Sequence, residues 1–184
     1  MTTAPVSTLR RAYHRWSTSL YGPSPHVSAL SWIGDERIAI GCIPTASTLL
    51  RLRDAGVTHV VNCRSLVQTL LSQDLGVERE LLGTDMVAHA PMRDFGRPQP
   101  PELWSSAAVF AARVLSADVA ARVLIHCQQG RRRSVMVAYA VLRLRGHRED
   151  TAAALICQHR TEAELVAAYI DSVEAWLESQ AGRL

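Results

Sequence analysis

A cysteine and an arginine separated by five residues, Cys127 and Arg133, carry the most distinctive chemistry in this chain. They lie in RVLIHCQQGRRRS, from Arg122 to Ser134, where three successive arginines crowd one short loop. Gly130 lets the backbone curl so that successive N–H groups face inward, and such a nest binds an anion. Arg133 adds a planar fork that holds two oxygens of a phosphate. A thiol among amide dipoles and a guanidinium has a lowered pKa, so Cys127 is expected to be a thiolate at neutral pH, a nucleophile toward phosphorus. The alternative is a buried structural cysteine beside a surface arginine cluster. It leaves three arginines at a helix start, where the dipole disfavours cations unless an anion is bound.

Two elements must hold that loop. Val123, Leu124 and Ile125 form an apolar run too short for a helix and suited to a strand covered on both faces. Val135 to Leu142 are apolar almost all round, as in a buried helix. The loop therefore occupies a helix N-terminus, where unpaired N–H groups and the positive end of the dipole favour an anion.

With its flanking residues the loop reads H-C-x-x-G-x-x-R-S, filled by His126, Cys127, Gly130, Arg133 and Ser134. This resembles the signature of the cysteine-dependent protein tyrosine phosphatases, in their compact dual-specificity branch. The resemblance runs from about Trp32 to Leu177 through I33-G34-D35, I40-G41, P44, the strand THVVNC and the stretch MVAHAPMRDFGRP. It implies a phosphomonoester hydrolase working through a cysteinyl phosphate, with neither cofactor nor metal. The phosphate would lie among His126, Gln128, Gln129, Gly130, Arg131, Arg132 and Arg133. Asp94, the one carboxylate in the loop Ala90 to Pro101, would be the acid for the leaving oxygen and then the base for water; Asp85, at the start of the preceding strand, is the fallback. Ser134 would stabilise the leaving thiolate or cap the helix, and His126 would orient the loop through hydrogen bonds. Cys63, ending VTHVVNC, is either an inert buried thiol or a partner that traps oxidised Cys127 as a disulfide.

Specificity is less defined. Gln129 stands where the family often has a small residue, and a basic residue at Arg131 also resembles phosphatases of phosphoinositides and other phospholipids. The tryptophan-bearing acid loop of the larger tyrosine-specific enzymes is absent, which implies a shallower pocket. Three readings follow: a phosphatase of phosphotyrosine and of phosphoserine or phosphothreonine in proteins, a lipid-headgroup phosphatase, and a phosphate-binding module with little turnover.

Composition suits one globular domain of 184 residues, 48% hydrophobic and 20% charged. The net charge of +3 is built on 20 basic residues that are all arginine, which gives no reason to expect a nucleic-acid partner. Four unclustered cysteines and the lack of a long apolar run lead to the expectation of a reduced, cytoplasmic protein without a transmembrane helix or secretory signal.

Alternating strands and helices predict an α/β fold: a central, mostly parallel sheet flanked by helices, with the phosphate-binding loop between a central strand and a buried helix. The expected organisation is an N-terminal basic amphipathic extension over residues 1–30 and a phosphatase-type domain over 31–180. In the extension Leu9, Tyr13, Trp16 and Leu20 share a helical face. That helix could pack on the domain, contact anionic lipid or an acidic partner, or act as a transit peptide; Tyr21 to Pro25 would end it. A hairpin is expected over Ser31 to Ile40. A helix capped by Thr45 or Ser47 would run to Asp54, and Leu66 to Leu82 would be helical with a break at Gly76. The chain from Pro100 would open a helix burying Leu103, Ala107, Phe110, Ala111 and Val114. Thr151 to His159 and Glu162 to Glu178 would close the domain, with Ala154, Leu155, Leu165, Tyr169, Val173 and Trp176 as their core stripe.

Overall fold

The computed structural model describes residues 30–44 and 46–182. The expected extension over residues 1–30, apart from Leu30, and a cap at Thr45 lie outside what is described, while Ser47, the other expected cap, lies within the helix Ala46–Asp54 and so does not precede it. A hairpin of β1 (Leu30–Trp32) and β2 (Ile38–Gly41) opens the described chain, followed by α1 (Ala46–Asp54) and β3 (His59–Asn62). Next come α2 (Leu66–Ser72), α3 (Asp74–Leu82), β4 (Val87–His89), α4 (Ser105–Ala117), β5 (Val123–His126), α5 (Arg133–Leu144), α6 (Glu149–His159) and α7 (Ala167–Ala181). The sheet order is β1-β2-β5-β3-β4, antiparallel only at the β1 edge. This is the mostly parallel α/β sheet the alternation predicts.

Period-two alternation divides the core between the sheet's faces. Ile38, Ile40, Val61, Val123 and Ile125 point to the larger layer, made by α4, α5, α6 and α7. Ala39, Val60 and Leu124 point to the smaller one, with Leu52 of α1 and partly buried Leu75 and Leu81 of α3. Helix α5 is buried from Arg133 to Leu142, so the strand and helix that hold the loop are both locked in the interior.

The register fixes the site. Gly41 and Asn62 both stand opposite His126, so the residues that follow, Cys42, Cys63 and Cys127, leave three adjacent strands at one level.

Three element boundaries differ from expectation. The helical stretch after Ser65 breaks at Gln73, which is left-handed (φ 55°), while Gly76 lies inside α3. The break turns Asp74 inward to a buried ion pair with Arg64 at 2.8 Å. The last helix starts at Ala167 instead of Glu162, because Glu164 turns back: its N–H donates to the Arg131 carbonyl at 2.8 Å and its carboxylate pairs with Arg131 and Arg132. In α6 the buried pair is Ala152 and Ile156, four residues apart, and Ala154 faces solvent. Past Pro100 a single 3-10 turn, Pro101–Leu103, precedes α4, and Trp104 at the junction is fully buried.

Candidate active site

The sequence from Cys127 to Arg133 closes into a cradle at the mouth of β5. Gly130 has φ +67°, and a Cβ there would lie 2.5 Å from the backbone of Gly41, so only glycine lets the loop pass this close to β2. Arg160, buried at the end of α6, holds the outer wall: Nε donates to the Gly130 carbonyl at 2.6 Å and Nη2 to that of Gln129 at 3.3 Å. Its Nη1 also donates to the Ile40 carbonyl at 3.1 Å, tying loop to sheet.

Cys127 is buried. Gly130 N–H donates to its Sγ at 3.2 Å and the Ser134 hydroxyl at 3.4 Å. Burial pushes the thiol up, but the Arg133 guanidinium and the Ser134 and backbone donors outweigh it and bring the pKa down to about 7. Arg133 is itself buried and held from three sides: Nη1 donates to Gln68 Oε1 at 2.7 Å, the Met92 carbonyl at 3.3 Å and the Cys63 carbonyl at 3.4 Å. Its buried Nε makes no hydrogen bond among the described residues and lies 3.5 Å from Asp94 Oδ2. A free donor at that place is what an oxyanion would take.

Asp94 reaches the cradle from the loop after β4. Tyr169 on α7 donates to its Oδ1 at 3.1 Å and accepts from Gly96 N–H at 3.2 Å. Ser172, one turn further along α7, accepts from Gln99 N–H at 3.0 Å. Trp104 Nε1 donates to the Gln99 carbonyl at 3.2 Å, and its ring meets Trp176 edge-on. The Asp94 loop is thus fastened along one helix. Asp94, Cys127, Gln129, Arg131, Arg132 and Glu164 line a cavity of about 150 Å³.

No family model and no curated protein matches the sequence. Solved structures share its fold: human DUSP28 superposes with a TM-score of 0.66 at 22% identity over 86% of this chain and 98% of that one. PTPMT1 in complex with PI(5)P gives 0.71 at 16% identity, covering 85% and 99%. The kinase-associated phosphatase with its catalytic-site cysteine changed to serine gives 0.70 at 15%, covering 88% and 100%. The chain has the dual-specificity phosphatase fold.

Within that fold the residues named from sequence converge. Cys127, Arg133, Ser134 and Asp94 meet in the cradle, while Asp85 lies at the far end of β4 in a 3-10 turn. His126 faces inward, its Nε2 2.8 Å from Glu78 Oε1. It belongs to a buried network: Asn62 Nδ2 donates to Asp74 at 2.8 Å and Glu78 at 3.0 Å, and Arg64 Nε donates to Gln128 Oε1 at 3.1 Å. Gln128 therefore supports the loop from below and Gln129 is exposed above it. Cys63 is fully buried, and burial pushes its thiol well above its ordinary value.

Sequence reasoning missed Tyr169 as the partner of Asp94, naming it only as core. It also missed Gln68, Arg160, Cys42 and Glu164. Only Arg160 carried a signal, an arginine at the end of the expected helix, four residues after Ile156; the others are long-range pairings that no local pattern encodes.

Proposed function

We propose that this protein hydrolyses phosphomonoesters, with phosphotyrosine and also phosphoserine or phosphothreonine in proteins as its substrates, through a cysteinyl-phosphate intermediate. The observation that carries this is the buried Cys127 Sγ, which accepts from Gly130 N–H and the Ser134 hydroxyl in a cavity it shares with Asp94, with the Arg133 guanidinium 3.5 Å from the Asp94 carboxylate. Arg133 and the loop amides hold the phosphate oxygens, and the Cys127 thiolate attacks phosphorus opposite the leaving oxygen. Asp94 gives that oxygen its proton. In the second step Asp94 takes a proton from water, which displaces the cysteine, and the Ser134 hydroxyl stabilises the thiolate that leaves. The mechanism draws its positive charge from Arg133 and the amides, so it calls on no metal or cofactor. Cys63 is proposed as the thiol that would condense with a peroxide-oxidised Cys127, giving a disulfide and water.

A lipid-headgroup reading stands second. Leu66, Val67 and Leu70 on the outer face of α2 and Phe95 beside Asp94 are all more than 60% exposed, an apolar rim that suits acyl chains. Against a polyphosphorylated headgroup, Arg131 and Arg132 are already paired with Glu164.

Phosphate release from phosphotyrosine and phosphothreonine peptides and from phosphoinositide vesicles, with Cys127→Ser as blank, separates the readings. Peptide turnover that Cys127→Ser abolishes supports the first, and a vesicle preference supports the second. Phosphate binding without turnover on either panel would leave a binding module.

A further inference from the structure

Two arginines at the cavity rim are spent on a carboxylate of the same chain. Glu164 lies in the extended segment between α6 and α7, five residues beyond the end of α6. Its Oε1 accepts from Arg131 Nη2 and its Oε2 from Arg132 Nε, so the carboxylate bridges both guanidiniums as a second phosphate of a substrate would. The arrangement is built into the backbone, because Glu164 N–H donates to the Arg131 carbonyl at 2.8 Å and forces α7 to start late. The Arg132 hydrogen bond, joined by the charge of both arginines, holds the carboxyl below its ordinary range, so it is ionised at neutral pH. Arg131 Nε, buried, makes no hydrogen bond among the described residues, so this arginine keeps a donor to spare.

At the cavity rim the carboxylate of Glu164 thus offsets the Arg131–Arg132 pair, while Arg133 stands apart beside Asp94. One phosphate dianion is still matched by Arg133 and the loop amides, which Glu164 does not touch. A second anionic group next to it meets a carboxylate where two cations would otherwise receive it.

Resting on the phosphatase reading, we propose that Glu164 is a specificity-determining residue: it occupies the Arg131–Arg132 pair and selects for substrates with one phosphate near the scissile bond over those with two. All three residues are partly exposed, with side-chain accessibilities of 44% for Arg131, 43% for Arg132 and 31% for Glu164, so the bridge borders solvent and a variant can open it without disturbing the core.

The test compares kcat/KM for a phosphotyrosine peptide with that for the same peptide bearing phosphoserine beside the phosphotyrosine, and likewise a soluble inositol monophosphate with a vicinal bisphosphate. Glu164→Gln, which keeps the shape and removes the charge, should raise the two-phosphate to one-phosphate ratio about tenfold in whichever pair turns over. Glu164→Asp keeps the charge and should hold the ratio near that of the wild type. An unchanged ratio in Glu164→Gln overturns the proposal, as does an equal rise in both variants, which would mark collapse of the loop. If the wild type turns over neither pair, the phosphatase reading fails by itself. Calorimetry of pyrophosphate against inorganic phosphate on Cys127→Ser, with and without Glu164→Gln, then decides the proposal: a tenfold gain for pyrophosphate alone upholds it, and equal gains refute it.

Discussion

Three thiols leave neighbouring strands at one level, and their environments separate them. Burial raises Cys42 and raises Cys63 well above the ordinary thiol value, because no donor set near either outweighs desolvation. Cys127 is as buried, yet Arg133, Ser134 and the loop amides bring it to about 7. Reactivity at this register is therefore decided by what points at the sulfur, not by exposure. Alkylation by iodoacetamide followed by peptide mass spectrometry should label Cys127 with a pH midpoint of about 7 and leave Cys42 and Cys63 unmodified in the folded protein. Exposed Cys157 is resolved as a separate peptide. Ser134→Ala removes one donor to the thiolate and should move the Cys127 midpoint up by about one pH unit, the scale of a single hydrogen bond to a charged group. A wild-type midpoint above about 8.5, the value of a free thiol, would contradict the assignment of Cys127 as the activated nucleophile.

Loops here take their position from helices that the sequence places far away. The Asp94 loop is held to α7 at Tyr169 and Ser172, with Trp104 and Trp176 packed at its base. Tyr169→Phe keeps the ring in the core but removes the hydroxyl that bridges Asp94 and Gly96. We expect kcat to fall about tenfold, a typical cost of mispositioning an acid, with the Cys127 alkylation midpoint staying where it is. A loss that vanished on an activated aryl phosphate, whose leaving group needs no proton, would confirm that Tyr169 acts through Asp94. An equal loss on both substrates would refute it. The same distinction explains what was legible beforehand. The loop Cys127 to Ser134, its strand and its helix are contiguous, so type and spacing revealed them. The bend at Gln73 was not legible, since glycine at 76 is the stronger local breaker and Gln73 is forced left-handed by Asp74 reaching Arg64. Glu164 read as a helical residue because its reason to leave the helix is Arg131 and Arg132, over thirty residues back.

The whole molecule places a charged network beneath the Cys127–Arg133 loop, inside the layer between sheet and helices. Asp74, Glu78 and His126 have no exposed surface, and Asn62 joins the two carboxylates. Burial alone would lower the His126 imidazole; Glu78 at 2.8 Å, with Asp74 beyond it, reverses that and raises it above 6.5. A raised folded value means that the bound proton stabilises the fold. The contribution is fully present below the ordinary imidazole value of 6.5 and is lost as pH rises through the higher folded value. Glu78→Gln leaves the imidazolium buried without its partner, which costs about 3–5 kcal/mol. The melting temperature should therefore drop by about 10 °C at pH 6, on the scale of a domain this size. As pH rises and His126 loses its proton in both proteins, the gap should narrow. The direction distinguishes a charge pair from a packing contact: a gap independent of pH between 6 and 9 would mean that Glu78 serves only to fill space and accept from Asn62. His126 also carries the carbonyl that accepts Cys63 N–H at 2.7 Å and directly precedes Cys127. The same variant, which removes a negative charge and leaves the adjacent imidazolium uncompensated, should lower the Cys127 alkylation midpoint at pH values where the protein is still folded, linking the charges beneath the loop to thiolate formation above it.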